Sequence, residues 1–178
     1  PLRKEAAQVV EQLREAGLSK IVMMTGDSDR TAKAIAKRVG VDEYYSEVLP
    51  EDKANFVERE KQAGRKVIMI GDGINDSPAL SAADVGIAIS EGAEIAREVA
   101  DITVGADDLK EIVKLKRLSD ALMQRIRRNY RIIVGFNTGL IVCGVTGVLP
   151  PTTSALLHNT STLVIGLQSM KNLLDESE

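Results

Sequence analysis

Gly71-Asp72-Gly73-Ile74-Asn75-Asp76-Ser77-Pro78-Ala79-Leu80 follows the apolar run Lys66-Val67-Ile68-Met69-Ile70. A β-branched run closed by Gly-Asp-Gly predicts a buried parallel strand, and Ser77-Pro78 predicts the start of a helix. The acids then stand at the carboxyl end of the strand, where open α/β sheets bind their ligands. Two carboxylates four residues apart, Asp72 and Asp76, with the amide of Asn75 beside them, form a donor set suited to a hard cation such as Mg²⁺, and a cation there implies a phosphate. A turn whose Asp and Asn bond only to backbone is the plainer alternative. It does not call for a second acid and an amide at one strand end.

Working outward, Ala6, Val9, Val10 and Leu13 recur at helical spacing between Pro1 and Ala16, so the chain is expected to begin inside a domain and without a signal peptide. Ile21-Val22-Met23-Met24 reads as a short buried strand ending at Thr25-Gly26-Asp27, and Ser28 to Val39 as a helix closed by Gly40. Tyr44 to Val48 reads as a strand, Pro50 as the start of a helix that Gly64 ends, and Lys53 falls in its first turn. A cation at the positive end of a helix is locally unfavourable and points to an anionic partner, with plain solvation as the alternative for any Lys. Beyond the central motif, Val85 to Ile89 and Ile102 to Val104 read as strands on either side of a helix over 92–100. Strand, loop and helix in alternation predict an α/β fold with a Rossmann-like parallel sheet.

The remainder differs in kind. Residues 1–109 carry 14 basic against 21 acidic side chains, a balance of −7, and residues 110–178 carry 9 against 5, a balance of +4. Eight of those basic residues lie between Lys110 and Arg131, and from Ile132 to Met170 there is no Asp, Glu, Lys or Arg. A long helix is expected from Asp107, with Leu109, Ile112, Val113, Leu115, Leu118 and Leu122 on one face. The basic end of that helix, against an uncharged stretch, predicts a membrane rather than a nucleic acid, for which the scarce aromatics supply no stacking platform. Ile132–Leu149 and Thr152–Met170 approach the ~20 residues that cross a bilayer, with Pro150-Pro151 as the turn, although a soluble helical hairpin is the alternative. The single Cys, Cys143, excludes an internal disulfide.

The unbroken stretch from Gly71 to Leu80 resembles the hinge motif of heavy-metal-transporting P-type ATPases, pumps that carry a phosphorylated Asp on a haloacid dehalogenase-like domain. Thr25-Gly26-Asp27 and Pro50-Glu51-Asp52-Lys53 extend the resemblance in that family's order. The resemblance implies an ATP-driven transporter of a transition-metal cation working through an aspartyl-phosphate. It implies that Asp72 and Asp76 hold Mg²⁺ with Asn75 and Gly73 beside them. Thr25 and Gly26 would hold the phosphoryl oxygens, Asp27 would support them, and Lys53 would neutralise charge. It places His158, Asn137 and Asn159 at the transported ion, since His158-Asn159-Thr160-Ser161-Thr162 is similar to the His-Glu-Gly-Gly-Thr form of cobalt-type pumps with Asn in place of Glu. A helix–helix hydrogen bond is the alternative for His158.

The nucleophilic Asp of that family, within Asp-Lys-Thr-Gly-Thr, does not occur in the sequence. The resemblance therefore implies the carboxyl-terminal part of a pump, inactive alone, whose remaining domains, most of the ATP site included, come in cis or from another chain. The expected organisation is 1–108 as part of a cytoplasmic phosphorylation domain, 109–131 as a basic connecting helix, 132–171 as a transmembrane helical hairpin and 172–178 as a cytoplasmic tail. The whole would be a multi-pass protein of a bacterial plasma membrane with the lipid bilayer as partner. Two other classes stay open. Asp27-Ser28-Asp29-Arg30-Thr31 imitates the Asp-x-Asp-x-Thr signature of stand-alone phosphatases of the same superfamily, and a non-enzymatic partner of a complete pump would share the hairpin.

Overall fold

A computed structural model describes residues 5–71, 74–89, 98–105 and 109–173. The chain divides into two compact units, residues 1–114 and 115–178.

In the first unit, α1 (Ala6–Glu15), β1 (Val22–Met24), α2 (Asp29–Val39), β2 (Glu43–Tyr45), α3 (Pro50–Gln62), β3 (Ile68–Gly71), a 3₁₀ turn at Ile74–Asp76, α4 (Ser77–Ala82), β4 (Val85–Ile89) and β5 (Ile102–Val104) follow one another. Every strand pairing is parallel, β1 with β2 and β3 with β4 with β5. Parallel neighbours need a crossover, and α2 and α4 supply two of them. Ala6 and Val10 of α1 and Val39 of α2 form one buried cluster, closed by Ile21, Ile35, Val41 and Leu109. Leu80 and Ala79 of α4 are buried with Ile87, Ala88 and Ile89 of β4. That packing depends on Gly86, where a Cβ would come within 2.6 Å of the Leu80 carbonyl oxygen.

Each ladder is pinned at the same place by the same device. Asp42, Asp84 and Asp101 each stand just before β2, β4 or β5, and each carboxylate accepts a backbone N–H from the neighbouring strand: Ile21 at 2.7 Å, Val67 at 2.9 Å and Gly86 at 2.8 Å. The registers pair Val22 with Glu43, Ile68 with Val85 and Ile87 with Ile102, so all three bonds close the position one step before the ladder. A residue that is a poor strand former is favourable there because its short side chain reaches the donor the ladder has not yet satisfied.

Two expectations change here. Among the described residues the strands form a two-stranded and a three-stranded ladder rather than one sheet. The strands read as buried, β1 and β3, lie at the edges of those ladders and are mostly half-buried, with Ile68 42% exposed. The apolar runs were legible, but their burial depends on neighbours that the described residues do not provide. The helix expected over 92–100 lies largely outside the described residues.

In the second unit the connecting helix and first apolar stretch are a single helix, α5 (Lys110–Val145), which begins in the first unit. A turn at 146–150 with Gly147 at φ 74° leads to α6 (Pro151–Ser169). The two run antiparallel, since Asn129 bonds Ser169 (2.7 Å) while Asn137 bonds His158 (2.9 Å). The expected transmembrane hairpin is thus present as a helical hairpin, but no helix among the described residues is long and apolar enough to cross a membrane. The reason is local. The uncharged part of α5 stops at Val145, where the helix ends, and α6 carries eight hydroxyl, imidazole or amide side chains between Thr152 and Thr162.

The carboxylate pins make the first unit acid-sensitive. Ile21 N–H and the Arg14 guanidinium hold Asp42 below the ordinary carboxylate range, Lys66 and the Val67 N–H do so for Asp84, and Arg65 does so for Glu60. Groups depressed in the folded state stabilise it above their unfolded values, near ~4, and lose that contribution as pH falls through the folded values. Urea unfolding of the chain should therefore show a constant midpoint from pH 7 to about 5 and a falling one below about 4. Asp84→Asn should lower the midpoint at pH 7 and flatten the acid limb. A midpoint unchanged at pH 3 would show that the pins contribute nothing.

Candidate functional site

The carboxyl ends of β1 and β3 carry the expected motifs. At β3, Asp76 is 8% exposed and its side chain lies over Gly71, where a Cβ would fall 2.6 Å from the Asp76 Cβ and 2.9 Å from Oδ2. Only glycine leaves that space. Asp76 Oδ1 accepts from the Lys53 ammonium at 2.7 Å, and the two side chains are 12% and 15% exposed. Lys53 is presented by the first turn of α3, which Pro50 starts and where Asp52 Oδ2 accepts the Leu49 N–H at 3.1 Å. The cation that is locally misplaced at a helix amino terminus is therefore matched by a buried carboxylate from another element.

At β1, Thr25 Oγ1 accepts the Asp27 N–H at 3.1 Å, leaving its own proton to be donated elsewhere. The loop is laced to the segment leading into α3: Val48 N–H donates to Thr25 O (3.0 Å) and Glu47 N–H, at φ 54°, to Asp27 O (2.9 Å). The Gly26 N–H is exposed and has no partner among the described residues. Three motifs far apart in sequence are therefore joined in a chain of contacts from Thr25-Gly26-Asp27 through 47–53 to Asp76. Asn75 is beside Asp76 and exposed. Asp72 and Gly73 lie outside the described residues. Asp76 and Asn75 are oxygen donors of the kind Mg²⁺ takes, but no group of three His, Cys, Asp or Glu able to hold a metal occurs among the described residues.

Asp27 does not cap α2, whose N-cap position is Ser28. Asp29, the second acid of the phosphatase-like Asp-x-Asp stretch, is engaged structurally, its Oδ1 accepting from the Tyr44 hydroxyl (3.2 Å) and Ser46 Oγ (3.3 Å). That hydroxyl pair was not anticipated from the sequence, and neither was the space at Gly71. A glycine closing a β-branched strand five residues before a second acid was the available signal.

In the second unit His158 Nδ1 meets Asn137 Oδ1 at 2.9 Å, the helix–helix bond that was the alternative reading. Asn159 is exposed and does not join that pair. The hydroxyls around them bond to their own helix: Thr160 to Leu156 O (2.8 Å), and Ser161 and Thr162 to His158 O (2.8 and 3.0 Å).

Removing one partner from a mostly buried ion pair leaves the other charge desolvated, at a cost of about 3 kcal/mol. Lys53→Met should lower unfolding stability by roughly that amount, and Lys53→Met with Asp76→Asn by less than the sum of the single variants. Additive losses in the double-mutant cycle would show that the two side chains do not stabilise each other. Gly71→Ala should cost about 1–3 kcal/mol by displacing Asp76.

Comparison with known proteins supports the same reading. A family model for haloacid dehalogenase-like hydrolases matches residues 1–84. A manganese-exporting P-type ATPase of Mycobacterium leprae is 40% identical over 171 residues, covering 96% of this chain and 24% of that protein. Copper-transporting ATPase 2 of Rhizobium meliloti is 45% identical over 157 residues, 88% of this chain and 19% of the relative. Among solved structures, a zinc-transporting PIB-type ATPase in the E2.Pi state superposes with a TM-score of 0.90 at 34% identity, over 98% of this chain and 28% of that one. The chain thus spans about a quarter of the length of these relatives. With its hinge-motif Asp76 buried against Lys53 and its likeness running through both units, the chain belongs to the heavy-metal-transporting P-type ATPase family of the haloacid dehalogenase-like superfamily.

Proposed function

We propose that the chain is the carboxyl-terminal portion of an ATP-driven transition-metal cation transporter that works through an aspartyl-phosphate. The observation that carries this reading is the buried Lys53–Asp76 pair at the carboxyl end of β3, joined through 47–49 to the Thr25-Gly26 loop. Such a site has a cation, a hydroxyl proton and an exposed backbone N–H on neighbouring elements, which together suit a phosphoryl group. Thr25 and Gly26 would orient its oxygens, Lys53 would offset its charge, and Asp76, Asn75 and Asp72 would supply oxygen ligands. Mg²⁺ held by these residues would supply neutralisation of the phosphate charge. Catalysis by these residues is positioning and electrostatics, because the nucleophile is not among them.

The edge strands β1 and β3 support a site completed by further chain. Among the described residues each has an open side in its ladder and mostly half-buried apolar residues, and an open edge is a template for another strand. A strand bearing Asp-Lys-Thr-Gly-Thr, from the rest of the pump in cis or in trans, would satisfy both. ATP would be bound mostly by that remainder.

The hairpin is read as seated among other helices of the pump in a bacterial plasma membrane, with the α/β unit in the cytoplasm. Its apolar side chains are uncovered, Val145 at 84% and Leu156 at 67% exposed, and α6 has no buried residue. Polar helices of this kind are tolerated in a bilayer when neighbouring protein covers them. The His158–Asn137 bond gives the neutral imidazole its proton on Nδ1, leaving the Nε2 lone pair for a metal substrate. Asn137 then orients the ligand rather than binding the ion. An imidazole donor suits Mn²⁺, Fe²⁺, Co²⁺ or Zn²⁺ better than Cu⁺.

Incubated with radiolabelled ATP and Mg²⁺, this chain alone should take no label. Co-expressed with the remaining domains it should complete a phosphoenzyme, which Asp76→Ala abolishes and Lys53→Ala reduces about 100-fold. Acid-stable label on Asp27 of the isolated chain would establish the stand-alone phosphatase reading instead.

A further inference from the structure

The second unit contains a cavity of about 490 Å³ lined by Arg125, Arg127, Arg128 and Arg131 of α5 and by Leu173 beyond α6. Four guanidinium groups within seven residues are like charges at i,i+3 and i,i+4 spacing, an arrangement that destabilises a helix unless an anion relieves it. After Asp120 the described residues contain no Asp or Glu that could do so. Arg125 is occupied, its guanidinium donating to the carbonyls of Ser169 (3.0 Å), Asn172 (2.8 Å) and Lys171, which closes the end of α6 onto α5. Among the described residues Arg131 makes only a long bond to Arg127 O, 3.4 Å. Arg127 and Arg128 are exposed, and their side chains have no partner among the described residues.

The position of the cavity narrows the anion. Directly after Arg131 comes the uncharged stretch, whose Ile132, Ile133, Val134 and Phe136 are exposed. A guanidinium fork matches a phosphate geometrically, and a concave basic site bordered by exposed apolar side chains matches a phosphate that carries acyl chains. We infer that this cavity binds the phosphodiester headgroup of an anionic phospholipid, with Arg127 and Arg128 as its main contacts and Arg125 holding the cavity wall. The inference rests on the membrane reading of the hairpin given above.

Two measurements on the full chain test it. In flotation with pure phosphatidylcholine vesicles the chain should rise with the lipid; failure to rise overturns the membrane reading and the site with it. In detergent, native mass spectrometry with dioctanoyl phosphatidylglycerol should show retained lipid, with dioctanoyl phosphatidylcholine bound far more weakly. Arg127→Gln with Arg128→Gln should weaken phosphatidylglycerol binding about 25-fold, from about five-fold for each arginine removed. Arg117→Gln, which removes a cation outside the cavity, should leave it unchanged, and circular dichroism should show the same helix content in all variants. Equal retention of the two lipids, an equal loss in Arg117→Gln, or displacement by inorganic phosphate at the same concentration would overturn the headgroup site while leaving the membrane reading intact.

Discussion

The site depends on an absent side chain. Because Gly71 has no Cβ, Asp76 can fold back over the end of β3, and from there its carboxylate meets Lys53 across from α3. Any larger residue would push the carboxylate away from the strand end. Both partners are largely withdrawn from solvent, so the pair gains its attraction at a real desolvation cost. Such a pair is weak evidence for stability taken alone. It is better understood as a charge arrangement held ready for a third, negative group, with the loop at Thr25-Gly26 tied by two backbone bonds to the same segment that presents Lys53.

Precision at the carboxyl ends of the strands requires fixed register at the other ends. A slip of one residue would turn every side chain of a strand to the opposite face. Asp42, Asp84 and Asp101 prevent this by accepting the last free N–H before each ladder, and two of them are further held by Arg14 and Lys66. Two of these acids, Asp42 and Asp84, also make the fold sensitive to acid, since each is held below the ordinary carboxylate range and a protonated carboxyl is a poorer acceptor. Glu60 adds to that sensitivity through Arg65, which bonds it at 2.5 Å.

The helical hairpin follows different physics. Its polar residues do not converge on one centre: Thr160, Ser161 and Thr162 return their hydroxyls to helix carbonyls, while His158 bonds Asn137 and Ser169 bonds Asn129 at separate points across the two helices. Hydroxyls used this way lower the polarity of a helix surface without removing a residue from it. That leaves one imidazole nitrogen as the distinctive chemical group of the pair, and a row of arginines as the distinctive feature of its charged end.

The sequence by itself determined the order of elements and the motif positions. Alternation of β-branched runs with helical spacing gave the α/β class, glycines and prolines marked the helix ends, and Gly71 to Leu80 identified the strand end that matters, because these signals are local and act over a few residues. What the sequence could not decide was anything set by long-range contact. Whether β1 and β3 are buried depends on strands beside them. Whether Lys53 faces solvent or Asp76 depends on how α3 packs against α4, and whether His158 is a lone donor or half of a bond depends on α6 returning along α5. The length of the uncharged run likewise suggested two bilayer crossings with a turn at Pro150-Pro151; the structure keeps a turn there but ends the first helix at Val145 rather than Leu149, and no helix among the described residues is long and apolar enough to cross a membrane.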